Sequence, residues 1–70
     1  MMKDKIDYLV MLIAEFAKHH GLSQRAAYQY IAQFKALDLC ERHYGIMHTL
    51  PLEDNLKSIT QYCRKNGGQL

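Results

Sequence analysis

Apolar positions recur at helical spacing along most of the chain, and no stretch alternates in the two-residue rhythm of a strand. In the first third, Ile6, Leu9, Val10, Ile13, Phe16 and Ala17 mark one face of a helix over about residues 4–20, and Leu12 widens it. Asp4 is placed to cap its start. Lys18, His19 and His20, just before Gly21, suit a C-terminus, where unpaired carbonyls carry partial negative charge. A second helix over about residues 23–37 starts at Ser23, a good N-cap, and repeats Ala27, Tyr30, Ile31, Phe34 and Leu37 on one side. Gln24, Arg25, Tyr28, Gln29, Gln33 and Lys35 face the other way.

The stretch "DLCERHYG" predicts a short helix over about residues 39–44, with Asp38 and Glu41 as a capping-box-like start and Gly45 as the stop. Pro51 fits the first turn of a last helix over about residues 52–66, because the N–H it lacks has no partner there. Leu52, Leu56, Ile59 and Cys63 form its inner stripe. Glu53 and Asp54 stand at its positive end, Arg64 and Lys65 at its negative end. The pattern therefore predicts an all-α fold, a small bundle of three longer helices and one short one, in a single domain over residues 1–70.

Size and charge narrow the picture. A chain of 70 residues buries only about 60% of the surface its unfolded form exposes, so its core is small and a partner has leverage on its stability. With 49% hydrophobic and 23% charged residues it has the composition of a folded globule rather than of a disordered segment. A net charge of +2 does not by itself imply nucleic acid or membrane, since both need clustered cations. The run Tyr8–Ala14 is short, amphipathic and closed by Glu15, which reads as part of a helix rather than a secretory leader or a membrane span. A cytoplasmic, reducing location is expected, with Cys40 and Cys63 as half-buried free thiols.

Candidate chemistry gathers in three places. "FAKHHGLSQRAAYQYI", residues 16–31, has the makings of a helix-turn-helix: small Ala17 and Ala27, a turn glycine at Gly21, and an exposed second-helix start. Gln24, Arg25, Tyr28 and Gln29 would read bases, amides and guanidinium suiting adenine and guanine edges. Residues 16–37 hold no acidic side chain. The first helix is, however, about twice the length the motif usually has, and a solvated polar face explains the same residues. Cys40, His43, His48 and Cys63 are the residue types of a zinc site, but their spacing matches no standard tetrahedral arrangement, so no metal or cofactor is expected. Cys40 with His43 is also the single candidate dyad. It lacks an orienting third group and an oxyanion hole, so the chain is not expected to be an enzyme.

Two segments, "HYGIMHTL" and "YCRKNGG", together with "IDYLVMLIAEFAKHHGLSQRAAYQYI", resemble a family of short bacterial proteins catalogued as a domain of unknown function. The resemblance implies a setting beside an ADP-ribosyltransferase-like protein, and so an antitoxin-like or other small partner role. It supplies no catalytic or binding residues. Pro51 stands where that family's pattern would have a capping hydroxyl.

These readings favour a helical module that binds another protein or itself, with DNA binding as the alternative. The expected contacts are Tyr8, Met11 and Leu12, left at the rim of the first helix once its core arc is covered, and His43, Tyr44, His48 and Thr49 around the short helix. A homodimer, or a heteromer using the same strip, follows from that surplus.

Overall fold

The computed structural model describes residues 2–70, with side chains from Lys5 onward. Within them the chain forms α1 (Met2–His20), α2 (Gln24–Gln33), α3 (Ala36–Arg42), α4 (Tyr44–Met47) and α5 (Leu52–Lys65), with no strand among the described residues. The all-α bundle predicted by the periodicity is the observed fold. Helix α1 begins at Met2, ahead of the expected cap; the side chain of Asp4 lies outside the described ones.

Local chemistry sets the helix ends. At Gly21, φ is +66°, and the Gly21 and Leu22 N–H groups close onto the carbonyls of Lys18 and Ala17 at 3.3 and 2.8 Å. This is a Schellman turn, and its positive φ is why glycine stands there. The Ser23 hydroxyl then accepts from the Ala26 N–H at 3.1 Å and starts α2. The end of α5 repeats the first device: Gly67 has φ +106°, and the Gly67 and Gly68 N–H groups bond to the carbonyls of Arg64 and Cys63 at 3.1 and 2.8 Å.

The predicted second helix is divided. Gln33 ends α2, Lys35 takes a left-handed conformation (φ 65°), and Ala36 opens α3. The reason is tertiary. Ile31 and Cys40 are nine residues apart, so in an unbroken helix they would point about 180° from one another. Both are buried in one core, which the turn at Lys35 makes possible. Asp38 and Glu41 accordingly lie within α3 rather than starting a helix. The expected 39–44 helix straddles the His43 junction, and Gly45, predicted as a stop, sits inside α4. Pro51 is the N-cap of α5, one residue before its first turn.

The core joins Leu12, Phe16 and Ala17 of α1 to Ala27 and Ile31, Ala36 and Cys40, Met47, and Leu56, Ile59 and Cys63. Phe16 and Ala17 are inward as expected, but the inward side of α1 is turned toward Leu12, which is 1% exposed. Ile6 and Val10 stand 55% and 59% exposed. Helix α5 runs in the same sense as α1 and meets its Tyr8–Leu12–Phe16 side, Tyr8 reaching Asn55 and His20 reaching Thr60. Val10 lies about 160° round from Leu12. Nor does α2 cover it: ten residues span about 15 Å against about 28 Å for the nineteen of α1.

Candidate functional site

The turn from α3 to α5 is where most of the expected contact residues meet. His43 ends α3, and its carbonyl accepts from the N–H groups of Ile46 and Met47 to wind α4. The His48 ring stacks on Tyr44 (centroids 4.8 Å apart), and its Nδ1 lies 2.8 Å from the Tyr44 carbonyl, close enough to donate to it. The Thr49 hydroxyl donates to the Ile46 carbonyl at 2.6 Å. Tyr44 also meets the edge of Tyr8 at 5.3 Å. The His48 and Thr49 side chains are thus bonded within the turn, and Ile46 and Leu50 are left exposed.

Asn55 holds the arrangement from beneath. It is 2% exposed, and its Nδ2 donates to the Tyr8 hydroxyl at 2.9 Å and to the Met47 carbonyl at 2.7 Å. One buried amide therefore ties α1, α4 and α5 together. Burial, with Cys40 and Tyr44 nearby, pushes the Tyr8 phenol above its usual range against the lowering effect of the Asn55 hydrogen bond. Sequence reasoning missed Asn55, although a signal exists: a lone amide at i+3 from Leu52 and i−4 from Ile59 interrupts an otherwise apolar stripe.

The other expected contacts divide. Met11 is 40% exposed, and His43, His48 and Thr49 are exposed; Tyr8 and Tyr44 are half-buried against one another. Leu12 is corrected from rim to core, since α5 closes over the side of α1 on which it sits. The open apolar residues of α1 are instead Ile6 and Val10, one turn apart, with Met11 further round.

Gln24, Arg25, Tyr28 and Gln29 are all exposed on α2. Cys40 and Cys63 are fully buried free thiols rather than half-buried ones. Burial pushes Cys40 up to about 12, with the Cys63 and Glu41 charges acting the same way, and Cys63 up to about 11. Neither is ionised at neutral pH, and His43 is in solvent. Among the described residues no three His, Cys, Asp or Glu side chains assemble as a group that could hold a metal. An open surface furrow of about 320 Å³ between α3 and α5 is lined by charges of both signs, Lys35, Asp38, Glu41 and Arg42, beside Tyr62. No helix is long and apolar enough to cross a membrane, among the residues described.

The fold and its surface define a small all-α protein distinguished by a buried amide tie and open apolar residues. Over residues 7–66 it matches the model of the family described as "Protein of unknown function (DUF3791)", and the chain belongs to that family. Neither a curated protein nor a solved structure matches it.

Proposed function

We propose that the chain is a non-catalytic, cytoplasmic protein-interaction module that docks through the open side of α1, centred on Ile6, Val10 and Met11. The observation that carries this reading is the exposure of three large apolar side chains within two turns of one helix (55%, 59% and 40%). Scattered single apolar residues are ordinary on a surface, whereas a cluster is expensive to leave in water. Fully burying such side chains contributes roughly 1.5–3 kcal/mol each, and here about half of that remains to be gained. The partner is a second copy or, as the family setting suggests, an ADP-ribosyltransferase-like protein held in an antitoxin-like pair.

Sedimentation equilibrium, and co-expression with such a protein, test it directly. Self-association or co-purification by the wild type should be lost in the Ile6→Glu, Val10→Glu double variant, which touches no core position. A wild type that is monomeric at millimolar concentration and retains no such partner removes the reading.

A second reading rests on the exposure of Gln24, Arg25, Tyr28 and Gln29 together on a helix whose start is set by the tight turn at Gly21. As a DNA reader the chain would lose affinity steeply with salt, and Arg25→Ala would cost about 1–3 kcal/mol if that side chain contacts a base edge. Salt-independent or absent binding to duplex DNA eliminates it.

A further inference from the structure

After α5 the chain does not run out into solvent. Gly67, beside Phe34, turns it back with φ +106°, and Gly68 and Leu70 lie against the Tyr30 hydroxyl of α2. The contacts that hold them are mostly main-chain. The Gly68 N–H donates to the Cys63 carbonyl at 2.8 Å, and the Leu70 N–H to the Tyr30 hydroxyl at 3.0 Å. Arg64 Nε donates to the Leu70 main-chain oxygen at 2.6 Å.

Selectivity is built in beside these bonds. A Cβ at Gly68 would run into the Tyr30 hydroxyl and the Cys63 carbonyl, while at Gly67 the positive φ of +106° rather than any crowding disfavours a side chain. Gln69 is exposed, while Leu70 packs against the rim of the core. Main-chain hydrogen bonds for affinity, with selective positions for particular residues, are how proteins read extended peptides.

We propose that Tyr30, Phe34 and Arg64, with the Cys63 carbonyl, form a peptide-binding site for Gly-Gly-x-Leu segments, which the chain fills with its own residues 67–70. The site is distinct from the α1 face and does not depend on it. A partner presenting the same segment gains access by displacing the strap.

The test uses the full chain with Gly68→Val, whose own strap cannot seat, titrated with the pentapeptide Asn-Gly-Gly-Gln-Leu and followed by amide chemical shifts. Saturable shifts are expected at Tyr30, Phe34 and Arg64. The wild type should bind at least about tenfold more weakly, because a tethered strap competes at an effective concentration of order millimolar. The same peptide with its second glycine replaced by valine should produce no saturable shifts. Leu70→Gly, which removes the side chain packed against the rim of the core and leaves every site residue in place, serves as the second opened variant. No saturable binding to a folded opened variant overturns the proposal, as does equal affinity for wild type and variant or binding of the valine peptide. Unfolding of both variants also overturns it, since the strap would then be part of the core rather than a replaceable ligand.

Discussion

Replacing Asn55 by alanine removes the two hydrogen bonds that tie α5 to α1 and to α4. A net contribution of about 1 kcal/mol per bond accounts for roughly 2 kcal/mol, and the space left by the amide adds to it. The penalty is capped by what the abandoned partners can do. The Met47 carbonyl still accepts from the Leu50 N–H at 3.1 Å, and the half-buried Tyr8 hydroxyl can turn to water. The expected loss is therefore about 2–3 kcal/mol, against a total stability of roughly 3.5–10 kcal/mol for a chain of this length. At about 4–8 °C per kcal/mol the melting temperature should fall by roughly 8–24 °C, read by far-ultraviolet circular dichroism with urea melts alongside. Tyr8→Phe keeps the ring against Tyr44 and removes only the acceptor, so it should cost about 1 kcal/mol. In the double variant the two losses should fall short of adding by about 0.5–1.5 kcal/mol, because they share one bond. An Asn55→Ala chain within 0.5 kcal/mol of wild type, or strictly additive losses, would refute the tie.

The Thr60 hydroxyl donates to the Leu56 carbonyl, so His20 Nε2 is the donor in the His20–Thr60 bond; burial, then the neighbouring His19 and Arg64 charges, lower the His20 pKa. The unfolded chain thus takes up this proton first: the His20 contribution is fully present above about pH 6.5 and lost as pH falls below it, and His20→Gln should flatten that part of a stability-against-pH curve. Cys40 and Cys63, buried and un-ionised, should react with a thiol reagent only as fast as the chain opens, so labelling rates should track unfolding as urea is added; rapid labelling of the native chain would contradict their burial. Lys35 holds a left-handed conformation without being glycine, and Lys35→Gly should leave the melting temperature unchanged or higher while Lys35→Val lowers it by about 1–2 kcal/mol equivalent.

The elements legible in the sequence are those whose cause is local. The Gly21 turn, the Ser23 cap, the charges at both ends of α5 and its Leu52–Leu56–Ile59–Cys63 stripe depend on residues within a turn or two of one another, and the structure has them where the pattern places them. The exposed polar face of α2 was legible for the same reason. What the tertiary structure decided concerns which surfaces meet. Helical periodicity defines faces about a helix's own axis, and α1 carries apolar residues over so wide an arc that either Ile6–Val10 or Tyr8–Leu12 could turn inward; the reach of Asn55 and the shortness of α2 selected the second. The break at Lys35 is equally invisible to propensity, because it exists to bring Ile31 and Cys40 into one core from opposite sides of what would otherwise be a single helix. Asn55 went unread in the sequence because its partner, Tyr8, lies forty-seven residues away. A contact between distant positions costs chain entropy that only the assembled core repays, so its residues carry no local signature of the pairing.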